Sequence, residues 1–170
     1  MFLCNSTMTR AAPIYWKAKQ IEKVCHSSKD AETLNLLKMV EDATYAAHQI
    51  EQLLYGNVSG RIPIRLFTDS ESTLESVASS KPIITKSLRM TIVDLKERLI
   101  QGVITSIAWL PTERMWADLL TKEKKLPEDL EDVLMRNNMD IKDTSVNEVK
   151  AFGQEVRMTN IRNRRVENNE

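Results

Sequence analysis

The chain has 170 residues, 42% of them apolar and 28% charged, which fits one soluble globular domain plus a tail. Lysine plus arginine and aspartate plus glutamate are equal at 24 each, so net charge does not advertise a nucleic-acid partner and any basic surface must be local. Two cysteines, Cys4 and Cys25, are too few for a metal cluster, and the opening apolar run "MFL" is too short for a signal peptide or a membrane span.

The segment "MFLCN" is strand-like, "STMTRAAP" reads as a turn, and "IYWKA" is a second strand candidate. The period then changes. In "HSSKDAETLNLLKMVEDATYAAHQIEQLLYG", Leu36, Val40, Ala43, Ala47, Ile50 and Leu54 recur at steps of three and four, which predicts a long amphipathic helix. Ser27 and Asp30 stand at capping-box spacing at its start, and Gly56 is a stop. "GNVSGRIP" is a loop, and "IRLFTD" is a short strand of bulky residues. Ser72 and Glu75 predict the cap of a short helix.

"SLRMTIVDLKERLIQG" is a second long helix, with Leu88, Ile92, Leu95 and Leu99 on one face. "VITSIAWL" is a strand ended by Pro111, and "TERMWADLLTK" is a helix. "KLPEDLEDVLMRN" predicts one more helix, with Pro127 early and acids in its first turn. From Asn138 onward the chain is polar and weakly periodic, which predicts a disordered tail, basic in the middle of "RMTNIRNRRVENNE". The element order near β-β-α-β-α-α-β-α argues for a mixed sheet flanked by helices, an α/β (α+β) fold.

Three carboxylates stand at element edges. Glu32 lies one turn before Leu36, Asp69 ends the strand "IRLFTD", and Asp118 lies between Met115 and Leu119 in the helix after Pro111. Taken singly, each has an ordinary role as a helix-start acid, a turn residue or a solvated acid. Brought together they would repel, and such a group is stable chiefly around divalent cations, for which hard oxygen ligands suit Mg²⁺ or Mn²⁺.

Read in order, "PIYWKAKQIEKVCHSSKDAETLNL", "PIRLFTDSESTLESVA" and "AWLPTERMWADLLTKE" resemble the ribonuclease H domain of copia-type retrotransposon polyproteins. The matching pieces are Trp16-Lys17, Ser27-Ser28, Ala31-Glu32, Asp69-Ser70, Pro111-Thr112 and Ala117-Asp118-Leu119-Leu120-Thr121-Lys122, spread over about residues 13 to 123. The resemblance implies a ribonuclease H-like mixed sheet, an RNA–DNA hybrid as substrate, and two-metal cleavage of its RNA strand. It makes Glu32, Asp69 and Asp118 the catalytic, metal-ligating residues. It also implies an intracellular setting, in the cytoplasm or a virus-like particle.

Two departures from the family accompany the match. The family's earliest carboxylate, on a first and central strand, has no counterpart, since no Asp or Glu precedes Glu22. The reading is therefore a partial, N-terminally truncated domain over residues 1–126, followed by a helix and tail over 127–170. Ser87 and Val93 also stand where the family carries His, leaving no evident proton donor, so activity is expected to be weak or lost. Lys17, Lys19 and Lys86, with Lys23, Arg89, Lys96 and Arg98, are candidate phosphate contacts, read against an ordinary charged face interleaved with acids. The expected partners are an RNA–DNA hybrid, the rest of a polyprotein or a second copy completing the sheet, and no membrane. Two alternatives remain at this stage: a non-catalytic binding module on the same fold, and an unrelated α/β scaffold whose acids are solvated.

Overall fold

A computed structural model describes residues 1–7, 9–17, 25–81, 83, 85–112, 115–116, 128–137 and 147–160. Among them the chain is a mixed α/β protein with four helices and two sheets, one of them mixed. It divides into two compact units: Met1–Gln20 with Leu110–Ser145, and Ile21–Trp109 with Val146–Glu170. No helix of the described residues is long and apolar enough to cross a membrane.

The smaller unit holds β1 (Phe2–Cys4), β2 (Ala11–Pro13) and α4 (Glu128–Arg136). β1 and β2 form an antiparallel hairpin with Cys4 opposite Ala11. The second strand therefore starts earlier than the expected "IYWKA", inside the stretch read as a turn. The reason lies at Asn5, whose Oδ1 accepts from the backbone N–H groups of Thr9 and Arg10, each at 2.9 Å, and so closes the loop early. Ile14, Tyr15 and Trp16 are left exposed. Ala11 and Val133 are buried with Phe2, Cys4 and Trp116 packed on them, and the Phe2 and Trp116 rings meet edge to face at 5.0 Å.

The larger unit is built on α1 (Ser28–Tyr55), β3 (Arg65–Thr68), α2 (Glu71–Ala78), α3 (Lys86–Ile100), β4 (Ser106–Trp109), β5 (Asn147–Phe152) and β6 (Glu155–Asn160). α1 begins and ends where its sequence signals stand. The Ser27 hydroxyl accepts from the Asp30 N–H at 3.1 Å, and Gly56 takes a left-handed φ of 71° while its N–H returns to the Gln52 carbonyl. α2 is capped by Ser70 rather than by the expected Ser72, because the chain leaves β3 and turns directly into the helix.

The sheet runs β3-β4-β5-β6. β3 and β4 are parallel, joined through α2 and α3, while β5 and β6 continue antiparallel. Leu66, Ile107, Val149 and Met158 fall in register across the sheet. They share a core with Leu36 and Val40 of α1, Leu74 and Val77 of α2, and Leu88, Ile92, Leu95 and Leu99 of α3. The helices thus pack on one face of the sheet.

The β5–β6 hairpin corrects the expectation of a disordered tail over residues 147–160. "NEVKAF" and "EVRMTN" alternate apolar and polar with period two, and the chain reverses through Gly153 (φ 61°) and Gln154. Positive φ at the first central residue alone is the type II′ arrangement, which suits the twist of a hairpin.

Candidate functional site

Asp69 directly follows β3 and is half-buried. Its carbonyl accepts the Trp109 indole N–H at 3.1 Å, which ties the ends of the two parallel strands together. The next residue, Ser70, donates its N–H to the Thr68 hydroxyl at 3.1 Å and caps α2 by accepting the Thr73 N–H at 3.4 Å.

From this cap a run of hydroxyls crosses to α1. The Ser70 and Thr73 oxygens lie 2.9 Å apart, Thr73 and Thr33 lie 3.1 Å apart, and the Thr33 hydroxyl donates to the Lys29 carbonyl at 2.7 Å. A hydroxyl has one proton. Thr33 spends its proton on Lys29, so Thr73 must donate to Thr33, and Ser70 must donate to Thr73. Thr33 and Thr73 are wholly buried and Ser70 is 8% exposed, so this order is fixed without water.

Glu32 precedes Thr33 in the second turn of α1. Its side chain is exposed, and Thr33, not Glu32, takes the first buried position of the stripe that continues through Leu36 and Val40. Glu32 is therefore at the rim of that face. The hydroxyl run thus holds together the two backbone segments that carry Glu32 and Asp69. The third predicted carboxylate, Asp118, lies outside the described residues. Among the described residues no group of three or more His, Cys, Asp or Glu side chains is placed to hold a metal ion.

Of the candidate phosphate contacts, Lys17 is exposed in the smaller unit and Lys86 is exposed at the first residue of α3, while Lys19 lies outside the described residues. Lys96 serves the fold: its ammonium donates to the Ser79 carbonyl at the end of α2, and burial lowers its pKa.

Two polar constellations were not anticipated. The Glu51 carboxylate, buried at the end of α1, accepts backbone N–H groups from Ser59 at 2.7 Å, Gly60 at 3.0 Å and Ile62 at 2.8 Å. The bonds from Ser59 and Ile62 outweigh the effect of burial and lower its pKa to about 2. Glu51 so gathers the loop that delivers the chain to β3. The second is Glu148, 1% exposed, which pairs with Arg65 at 2.9 Å and Lys150 at 2.7 Å across β3 and β5. Burial alone would raise its pKa; hydrogen bonds from Lys150 and Ser106 and the charges of Lys150 and Arg65 hold it below the usual carboxylate range. The alternation of Glu148 and Lys150 in "NEVKAF" was the one signal in the sequence for this cluster.

Comparison of the chain with protein-family models, curated proteins and solved structures finds no match.

Proposed function

We propose that the chain carries a ribonuclease H-like domain related to those of copia-type retrotransposon polyproteins, derived from an RNA–DNA hybrid nuclease and retaining little or no cleavage. One observation carries this reading. Asp69 stands at the carboxyl end of a parallel strand pair, and its flanking Ser70 is joined through Thr73 to Thr33, the neighbour of Glu32. Functional groups in open α/β sheets gather outside the carboxyl ends of parallel strands, and here two of the three predicted carboxylates belong to segments that meet there.

In this reading Glu32, Asp69 and Asp118 would hold Mg²⁺ or Mn²⁺, for which carboxylate oxygens are fitting donors. Such an ion, when held by these carboxylates, would supply an activated water and charge stabilisation for the leaving oxygen. The chain's own residues do the positioning. Trp109 holds the Asp69 backbone, and the Thr33–Thr73 bond fixes α1 against α2. Lys17, Lys19 and Lys86 would meet phosphates of an RNA–DNA hybrid. Ser87 and Val93 supply no imidazole for the leaving group, which is why cleavage is expected to be weak or lost. The remainder of a polyprotein is the other partner that the resemblance implies.

The test is hybrid binding and cleavage by the purified chain with Mg²⁺. Retention of an RNA–DNA hybrid at low salt, with trace cleavage or none, supports the reading. Robust hybrid-specific cleavage that disappears in Asp118→Asn overturns the claim of lost activity and keeps the family. A chain that neither retains the hybrid nor shifts its melting temperature with Mg²⁺ sinks the whole reading.

A further inference from the structure

β3 is an edge of its sheet: among the described residues β4 is its one ladder partner. The Thr105 N–H donates to the Ile64 carbonyl at 2.8 Å just before the ladder begins. Backbone groups alternate along a strand, so every second residue of β3 presents its N–H and C=O to the side away from β4. Such an edge is a template for another strand.

Side chains alternate with the same period. Arg65 and Phe67 lie on the sheet face opposite the helices, with the guanidinium 5.9 Å from the Phe67 ring centroid. Asp69 follows directly after the strand. The edge therefore carries a cation, an aromatic ring and a carboxylate in order, a sequence that is complementary to its own reverse.

We propose that β3 pairs antiparallel with β3 of a second copy about a two-fold axis at Phe67. The register is selective. Keeping the helices of both copies on one face requires the axis to pass through a residue, not between two. An axis at Leu66 sets Arg65 against Phe67, and an axis at Thr68 sets Phe67 against Asp69. The axis at Phe67 sets ring against ring and places Arg65 opposite Asp69 of the second copy, twice. A guanidinium has five N–H donors, so Arg65 keeps its bond to Glu148 at 2.9 Å while meeting a second carboxylate. The Asp69 carbonyl already accepts from Trp109, so the new ladder is short. Contacts of this size fall in the weak class, with Kd in the micromolar range or above. The pairing does not depend on the nuclease reading.

The test begins with sedimentation equilibrium of the unmodified chain up to about 1 mM, a concentration that captures weak dimers. A monomer–dimer equilibrium is expected, shifted to monomer in Asp69→Arg. Register is then read by oxidation in a Cys4→Ser, Cys25→Ser background. Phe67→Cys should give a disulfide-linked dimer, because directly opposed residues of an antiparallel pair have Cα atoms about 4.5–5.5 Å apart, within disulfide reach. Arg65→Cys should not, since its two copies would lie about 14 Å apart along the strands. A monomer at every concentration overturns the proposal, and so does equal linkage by the two cysteine variants. Neither readout uses Mg²⁺ or nucleic acid, so failure here leaves the nuclease reading standing, and the reverse.

Discussion

The hydroxyls of Thr33 and Thr73 meet at 3.1 Å in the buried interior, and this bond joins the second turn of α1 to the first turn of α2. It is the middle link of a one-way chain from Ser70 to the Lys29 carbonyl. Thr73→Val keeps the shape and removes the link. Ser70 then loses its 2.9 Å partner and keeps only the Ser72 hydroxyl at 3.4 Å, and Thr33 loses a donor, a weakening worth about 1 kcal/mol. Urea unfolding should show a loss of that order. Thr33→Val should cost less, because Thr73 can then turn its proton to Ser70.

Neutralising one carboxylate of a metal-binding group has opposite effects with and without the metal. If Asp69 belongs to the proposed carboxylate group, then with chelator present Asp69→Asn removes like-charge repulsion and should melt at or slightly above the unaltered chain. With millimolar Mg²⁺ the order should reverse, because bound ligand stabilises only the chain that holds it. Asp118→Asn should behave the same way. Parallel melting curves for the unaltered chain and both variants under the two conditions would remove Asp69 and Asp118 from any shared metal site.

Glu51 makes a pH prediction with a definite sign. Its folded pKa, about 2, is below the ordinary carboxylate value of 4.5, so the folded state favours the charged form. The stability it contributes is present above the ordinary value and is lost as pH falls from there toward 2. Glu51→Gln should be less stable near neutrality, because an amide offers weaker acceptance to the Ser59, Gly60 and Ile62 N–H groups. The difference in melting temperature between the two chains should shrink across that acid range. A constant difference from pH 6 to pH 2 would mean that the backbone cradle does not recognise the charge.

The helices were legible because caps and periods agree. Ser27, Gly56 and the spacing of Leu88, Ile92, Leu95 and Leu99 each rest on local geometry that a sequence states directly. β3 and β4 were legible as short apolar runs bounded by turns. Their parallel pairing was not, because register is a long-range property. β5 and β6 were missed because "NEVKAF" and "EVRMTN" are polar on one face, and the composition around them is that of a tail. Glu148 illustrates the difficulty: it is buried only because Arg65 and Lys150 reach it from another strand and from two residues on. Of the proposed site, Glu32 and Asp69 were read from motif order, while the hydroxyl chain between their neighbours depends on a contact spanning 40 residues.

That missed hairpin gives the sharpest prediction about the fold. β5 lies between β4 and β6, and Val149, wholly buried, packs into the same core as Leu66 and Ile107. Val149→Ala should cost about 2 kcal/mol, the size of losing buried branched carbons and leaving a small cavity. Phe152→Ala, at the exposed end of the same strand, should cost well under 1 kcal/mol, because surface positions away from special features move stability by about 0.5 kcal/mol. Ending the chain at Ser145 is the severe version: it strips β4 of its antiparallel neighbour and opens the core at Ile107. The shortened chain should lose its cooperative melt and its dispersed amide spectrum. A shortened chain that melts like the full one would mean that residues 147–160 contribute nothing to the core, as a disordered tail would.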